Sequence, residues 1–164
     1  MSDPARLVTL RPIREDDLPF LRRLYGSTRE EELVSVGWSR EQIEAFVDQQ
    51  FEAQHAQYMV NYPGADFLVI EVGGRPVGRL YLHRRTDEHR LVDLSLLPEH
   101  RAHGIGAQIL APVVVEADRA GKPVRLHVEK MNPALRFWER HGFRPIEDRG
   151  VYWFMERPVG AVSR

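Results

Sequence analysis

The chain has 164 residues, 43% of them hydrophobic, and this length suits one globular domain with a substantial core. Its 23 basic and 24 acidic residues leave a formal net charge of −1, so no overall field would gather nucleic acid or an anionic membrane. Any charged ligand must therefore meet a local patch. The absence of cysteine excludes disulfides, thiolate nucleophiles and zinc–cysteine sites.

The beginning of the chain is polar. Met1-Ser2-Asp3-Pro4 has no apolar segment of the kind that a secretion signal carries, and no apolar run approaches the roughly 18 residues of a membrane span. We therefore expect a cytoplasmic protein that binds neither nucleic acid nor membrane.

A strand and two amphipathic helices are predicted for the first part of the chain. Residues 7–13 alternate as a strand does, and a helix follows that we expect Gly26 to end. Ser39 and Gln42 have the spacing of a capping box at the start of the second helix. Residues 62–64, Tyr-Pro-Gly, break the helical pattern.

Beyond residue 64 the pattern changes to short strands with two intervening helices. Gly73-Gly74 is a strong hairpin signal between the first two of these strands, and a third ends at Leu96. Asn132 is placed to cap the second helix, which Gly142 is placed to end. The predicted strands are residues 67–72, 77–83, a run ending at 96, 123–128, 144–147 and 151–156.

The segment from Arg101 to Gly106 joins a strand-like run directly to a helix-like run. Small residues at 104 and 106 let the backbone approach an anion, and the first N–H groups of the helix lack intrahelical partners. A phosphate-binding turn is one interpretation of this segment. An ordinary tight turn before a helix is the other.

Three segments together resemble the GCN5-related N-acetyltransferase (GNAT) superfamily. Arg101 to Gly106 is similar to its acetyl-coenzyme A pyrophosphate loop, in which an Arg or Gln is followed by two residues, Gly, one residue, and Gly or Ala. Asn132-Pro133-Ala134 and the later Gly142-Phe143 are similar to the family's Asn-Pro-Ala and Gly-Phe, with Trp138 where a tyrosine usually stands. The resemblance covers about residues 67–156.

The resemblance implies an α/β fold, with a central twisted mixed β-sheet flanked by helices on both faces. It implies one N-acetyltransferase domain over residues 1–164, in which residues 1–62 shape the acceptor site and residues 67–156 form the acetyl-CoA-binding core. The expected activity is acetyl transfer from acetyl-CoA, without a metal, to an amine-bearing acceptor. A non-catalytic acyl-CoA-binding module or sensor is the alternative. Since no Walker lysine or third glycine is present, a generic nucleotide-binding domain is disfavoured.

The resemblance also assigns the cofactor contacts. In the family, backbone groups of the strand hold the acetyl and pantetheine arm, and the N–H here belonging to Leu96 polarises the thioester carbonyl. Asn132 matches a pantetheine contact, and Trp138 either packs against the pantetheine or is a core aromatic. The implied cofactor-binding residues are Leu94, Ser95, Leu96, Ala102, His103, Gly104, Ile105, Gly106, Ala107, Asn132 and Trp138.

Two residues are candidate general bases. His127 lies five residues before Asn132, where the ribosomal-protein alanine acetyltransferases of this superfamily carry a glutamate, and its ordinary pKa of ~6.5 suits proton transfer near neutrality. Alternation places Arg125, His127 and Glu129 on one face of their strand. The alternative for His127 is a partly buried side chain bonded to a backbone carbonyl. Asp93 is the second candidate, and its alternative role is an ion pair with an arginine such as Arg79 or Arg90.

The general acid and the acceptor are less defined. An indole is not a usable acid, so Trp138 leaves water, Tyr152 or His141 to protonate the thiolate. By resemblance, residues 27–38 and 146–152 line the acceptor site. Glu30-Glu31-Glu32 either attracts a cationic amine or is a solvated face. The resemblance also makes a homodimer possible, whereas no feature identifies the amine.

Overall fold

The computed structural model describes residues 7–163, so Met1-Ser2-Asp3-Pro4 lies outside the described residues. The seven strands form one mixed sheet in the order β1-β2-β3-β4-β5-β7-β6. The order of elements expected from the sequence is confirmed. The elements are β1 (Val8–Pro12), α1 (Leu18–Ser35), α2 (Arg40–Asn61), β2 (Asp66–Val72), β3 (Arg75–Arg84), β4 (His89–Leu96), α3 (Ile105–Arg119), β5 (Val124–Glu129), α4 (Leu135–Arg140), β6 (Arg144–Arg149) and β7 (Tyr152–Arg157).

The chain divides into two compact units. Of the described residues, the first unit contains 7–80 together with Leu94–Ile105, and the second contains Tyr81–Asp93 and 106–163. In the first unit, α1 and α2 pack on each other through a common apolar core. That core comprises Leu21, Tyr25, Ile43, Val47 and Phe51.

The prediction for the start of α2 is confirmed, whereas the prediction for the end of α1 is not. The capping box is confirmed, since Ser39 Oγ accepts from the Gln42 N–H at 3.2 Å and Gln42 Oε1 accepts from the Ser39 N–H at 2.9 Å. The prediction that Gly26 ends α1 is wrong, because α1 continues to Ser35. A Cβ at Gly26 would lie 3.3 Å from Val47 Cγ1, so this glycine lets the two helices approach closely.

The longer α1 also changes the expected acceptor loop. Residues 27–35 of the predicted 27–38 segment are helical, which leaves a short connection to α2. The acidic run at 30–32 lies on this helix and is largely exposed. Glu30 faces Arg40 at 3.6 Å and Glu32 faces Arg29 at 3.9 Å. This exposure agrees with the solvated-face interpretation, and attraction of a cationic amine by the run stays a prediction.

In the second unit, β5 pairs in parallel with β4 and antiparallel with β7, which in turn pairs with β6. The predicted alternation along β5 is confirmed, because Val124, Leu126 and Val128 are buried, whereas His127 between them is exposed.

The start of α4 differs from the prediction. Asn132 is not its N-cap, since the helix begins at Leu135 with Ala134 in the capping position. Asn132 Oδ1 accepts from the Ala134 N–H at 2.8 Å. Its side chain therefore closes a local turn that competes with capping.

Among the helices of residues 7–163, none has the length and apolar character that a membrane crossing requires.

Candidate functional site

The turn before α3 has an unusual backbone. Ala102 has φ 62° and Gly104 has φ 79°, so two of the three residues that precede α3 at Ile105 have a left-handed backbone. Successive backbone N–H groups in a turn conformation form a concavity that suits an anion. The first turn of the 15-residue helix adds N–H groups without intrahelical partners and the positive end of its dipole. The backbone of this turn is therefore suited to an anion.

The two glycines of this segment have different roles. A Cβ at Gly104 would meet nothing within 4 Å, so its left-handed φ is what requires glycine there. A Cβ at Gly106 would lie 3.3 Å from Phe137 Cζ. Gly106 therefore allows the start of α3 to pack closely on α4. His103 is exposed in the turn, and Ala107 is partly buried in the first turn of the helix.

The end of β4 is held from two sides. Leu94, Ser95 and Leu96 are all partly buried, and Arg101 Nε donates to the Leu96 carbonyl at 3.0 Å. On β3, a Cβ at Gly78 would clash with the Ser95 carbonyl and would lie 2.7 Å from Leu96 Cδ2. Gly78 thus permits a close approach of β3 to the predicted thioester-binding strand. Sequence reasoning missed it, although an isolated glycine inside a strand is the signal for such an approach.

His127 contacts an arginine. Arg149 Nη1 donates to His127 Nε2 at 2.7 Å, so Nε2 is an unprotonated acceptor in this geometry. The imidazole also lies 4.8 Å from the Phe154 ring. Partial desolvation of the ring, followed by the charges of Arg90 and Arg149, lowers the pKa of His127 below its ordinary value of 6.5. The imidazole of His127 is therefore mostly neutral at pH 7. The side chain is exposed on its face of the sheet.

The side chains around His127 form what we call the charged face. Glu88 is only 5% exposed and pairs with Arg90 at 2.6 Å and Arg125 at 3.3 Å. Burial opposes ionisation of Glu88, but hydrogen bonds from both arginines outweigh it and lower the pKa of that carboxyl. The charged face comprises Glu88, Arg90, Arg125, His127, Glu147, Arg149, Phe154 and Glu156.

Asp93, the second candidate base, lies on β4 and is partly buried. It interacts with neighbouring groups. Arg90 pairs with Glu88 and Arg79 donates to Gln54 Oε1 at 3.0 Å, while the pairing of Asp93 with either arginine stays a prediction. Asp93 lies in the second unit, as His127 does.

Trp138 belongs to the core. It is 5% exposed, and its ring lies 4.9 Å from Phe137 and 5.2 Å from Phe143. The interpretation of Trp138 as a core aromatic is confirmed, while its pantetheine contact stays a prediction. Asn132 is exposed, and so is Tyr152, whose ring is edge-on to His127 at 6.3 Å.

No group of three or more His, Asp or Glu side chains that would hold a metal ion occurs in the described range 7–163.

Comparison with known proteins agrees with this architecture. The family model of the acetyltransferase (GNAT) domain matches residues 36–152. A search of curated proteins found no significant match. Among solved structures, the PaiA N-acetyltransferase of Thermoplasma acidophilum, in complex with coenzyme A, is 20% identical with a TM-score of 0.71, covering 93% of this chain and 99% of its own.

Two further structures are similar. An acetyltransferase of Thermus thermophilus is 22% identical with a TM-score of 0.66, covering 94% of this chain and 98% of its own. YncA of Salmonella typhimurium, solved with acetyl-CoA, is 18% identical with a TM-score of 0.58, covering 96% and 97%. At these identities the structures show a shared fold, and the family match spans well over half of the sequence. The chain therefore belongs to the GNAT acetyltransferase family, whose members are acetyl-CoA-dependent acyltransferases.

Proposed function

We propose that this enzyme transfers the acetyl group of acetyl-CoA directly to a primary amine of its acceptor. The observation that carries the proposal is the left-handed turn at Ala102 and Gly104 before α3, in a chain that matches the GNAT family over residues 36–152. A turn of this kind suits the pyrophosphate of coenzyme A, since it presents backbone N–H groups to an anion. The chain's lack of cysteine agrees with direct transfer.

Backbone groups hold acetyl-CoA in this proposal. The N–H groups of residues 102–107 bind the pyrophosphate, and those of residues 94–96 bind the acetyl and pantetheine arm. The Leu96 N–H polarises the thioester carbonyl, as a preorganised donor would at a developing oxyanion. The close approach at Gly78 and the Arg101 bond to the Leu96 carbonyl support this role, because both restrain the strand at Leu96. Asn132 and Trp138 complete the proposed pantetheine contacts.

His127 acts as the base, with Asp93 as the second candidate. Its pKa lies below 6.5, so the imidazole is mostly neutral at pH 7, which is the protonation state that a general base requires. A proton leaves the ammonium group of the acceptor and binds to an imidazole nitrogen. The amine then bonds to the acetyl carbonyl carbon as the C–S bond breaks, and the nitrogen gives its remaining extra proton to solvent water.

The departing coenzyme A thiolate needs no strong acid. A thiol has an ordinary pKa near ~8.5, so its thiolate is a fair leaving group. The core position of Trp138 agrees with a mechanism in which that side chain is not the acid. We assign protonation to water or to Tyr152, which is exposed beside His127.

The domain organisation follows from the same proposal. Residues 1–164 form one N-acetyltransferase domain, in which residues 1–62 shape the acceptor site and residues 67–156 carry acetyl-CoA binding. Because α1 is helical to Ser35, the acceptor-shaping connection is the short segment before α2.

Thiol release from acetyl-CoA, measured with a panel of primary amines and checked by mass spectrometry of the product, tests the proposal. We expect release that depends on the amine and a product heavier by one acetyl group. Coenzyme A binding without release across a broad panel would instead support the sensor alternative. An acetylated residue on the enzyme that transfers its acetyl group would contradict direct transfer.

A further inference from the structure

Three arginines lie on the charged face, and Arg149 differs from the other two. Arg90 pairs with buried Glu88, and Arg125 pairs with Glu88 and Glu156, the latter at 2.8 Å. The Arg149 side chain is 39% exposed, against 12% for Arg90 and 26% for Arg125. Arg149 is thus the arginine of this face that a ligand from solvent reaches most easily.

The partners of Arg149 differ as well. Its Nη2 donates to Glu147 at 2.9 Å, and the Glu147 side chain is itself 55% exposed. Its Nη1 donates to a neutral nitrogen, His127 Nε2, at 2.7 Å. A guanidinium forms shorter and stronger hydrogen bonds with a carboxylate than with a neutral acceptor. The Nη1 bond is therefore one that an incoming carboxylate would replace favourably.

Phe154 orients this guanidinium. Arg149 Cζ lies 3.9 Å from the centroid of the Phe154 ring, and Phe154 is itself 6% exposed. A cation over an aromatic ring is attracted to its face, and a planar guanidinium stacks there readily. Arg149 is therefore held in place without a buried carboxylate, at a position where a ligand from solvent can reach its guanidinium.

The same contact restrains His127. An imidazole accepts a proton only through a nitrogen lone pair, and the lone pair at Nε2 is occupied by Arg149. A ligand group that binds the Arg149 guanidinium and draws it away from His127 would free the Nε2 lone pair. The freed lone pair would then lie next to the bound ligand.

We propose that Arg149 binds a carboxylate of the acceptor, and that this binding releases His127 Nε2 to act as the base. This inference rests on the proposed function and names its substrate class, which is amines that carry a carboxylate close to the amino group. In the exchange, the N–H···N bond from Arg149 to His127 becomes an N–H···O bond to the substrate. The ammonium proton of the acceptor then moves to Nε2, so one N–H bond breaks and one forms.

The other charges of the face fit this arrangement. Apart from Arg149, the groups that influence His127 are Arg90, Glu88 and Glu147, and Arg90 lowers its pKa while both carboxylates raise it. A bound carboxylate would offset the charge of Arg149 and raise the pKa of His127 towards its ordinary value. The imidazole would then be a stronger base in the complex than in the free enzyme.

Matched pairs of amines test the inference, each pair being an L-amino acid and its carboxamide. Wild-type enzyme should have a kcat/KM at least tenfold higher for the free carboxylate. Arg149→Met keeps an apolar stem over Phe154 but has no donor, so it should reduce that ratio to near one. Arg149→Lys keeps the positive charge but lacks the paired N–H donors of a guanidinium, so it should retain part of the wild-type preference for the carboxylate. Arg144→Gln, a change of an exposed arginine on the same strand, should keep the wild-type ratio.

A readout independent of turnover is the pKa of His127, followed by nitrogen NMR of the imidazole in wild type and Arg149→Met. We expect a higher pKa in the variant, because it loses a positive neighbour that lowers the wild-type value. An unchanged pKa would overturn the contact on which the inference depends.

The kinetic outcomes separate the two levels of the proposal. Acetyl transfer without preference for carboxylates, or an equal loss on both members of each pair in Arg149→Met, would overturn the role of Arg149 and leave the acetyltransferase proposal standing. Absence of amine-dependent thiol release with every amine would overturn both.

Discussion

The turn before α3 and the charged face present their chemistry in opposite ways. The turn uses the backbone, since the left-handed Ala102 and Gly104 shape it and its glycines serve conformation and packing. The charged face uses side chains from several strands, and His127 depends on Arg149 and Phe154 for its environment. The two regions should therefore respond differently to substitution, the turn through cosubstrate affinity and the face through rate and pH dependence.

His127→Ala should have the largest effect on turnover. Loss of a positioned general base typically lowers the rate by about 10²–10⁴-fold. Because burial and nearby arginines lower the pKa of His127 below 6.5, the wild-type kcat/KM should fall as pH drops through that lowered value. The variant should lose this inflection, as a pH series of thiol release would show.

A matched control is His83→Gln. His83 Nδ1 also accepts from an arginine, Arg85, at 3.2 Å, but lies on β3 and has no assigned role in the reaction. It should leave the profile unchanged. A wild-type pH profile in His127→Ala would contradict the assignment and shift the role of base to Asp93.

Gly78→Ala tests whether the close approach of β3 to the end of β4 is needed for stability and turnover. Its Cβ would meet the Ser95 carbonyl, and overpacking against backbone typically costs about 1–3 kcal/mol. We expect that loss in the free energy of unfolding measured in urea, with reduced turnover because Leu96 must move. In Gly26→Ala the neighbour is a Val47 methyl group, and alanine also favours the helix. Its loss of unfolding free energy should therefore be at least about 1 kcal/mol smaller than that of Gly78→Ala. Equal costs would count against a backbone clash.

Gly104→Val separates cosubstrate binding from stability. A side chain at φ 79° is strained, so the variant should raise the KM for acetyl-CoA at least about tenfold as the turn changes shape. Gly121→Val is matched to it, because Gly121 has φ 68°, and a Cβ there also meets nothing within 4 Å. Both variants should lose similar stability. An unaltered KM in Gly104→Val would refute the role of the turn.

Glu88→Gln tests whether the buried carboxylate that pairs with Arg90 and Arg125 stabilises the protein. Because the folded-state pKa of Glu88 is lowered, its charge contributes stability above the ordinary value of 4.5, and this is lost as pH falls through the lowered value. The variant should be less stable at pH 7 by about 1–2 kcal/mol, and the difference should shrink in acid. Urea unfolding from pH 7 to 3 measures it. A pH-independent difference would contradict the linkage, and Glu99→Gln, an exposed carboxylate, is the control.

Most of the fold was predictable because its signals are local. The Ser39–Gln42 capping box, the Gly73-Gly74 connection between the neighbouring strands β2 and β3, and the alternation along β5 each act over a few residues. The errors arose where distant or competing contacts decide. Gly26 lies inside α1, where Val47 of the other helix comes close to it, and Asn132 closes a turn in place of capping α4.

The candidate site divides in the same way. The glycine turn is visible in the sequence, because positive φ and helix starts have local signatures. The Arg149–His127 contact joins residues 22 apart on strands separated by β7. A register irregularity between Pro145 and Glu147 also shifts which β6 residues share the face of His127, so alternation alone does not predict this pair.

The most direct test of this contrast is calorimetric titration of coenzyme A into wild type, His127→Ala and Gly104→Val at one pH. We predict that wild type and His127→Ala bind with the same affinity and that Gly104→Val binds at least about tenfold more weakly. Failure of wild type to bind, or equal binding by Gly104→Val, would contradict a binding site for acetyl-CoA that is built from the backbone of this turn.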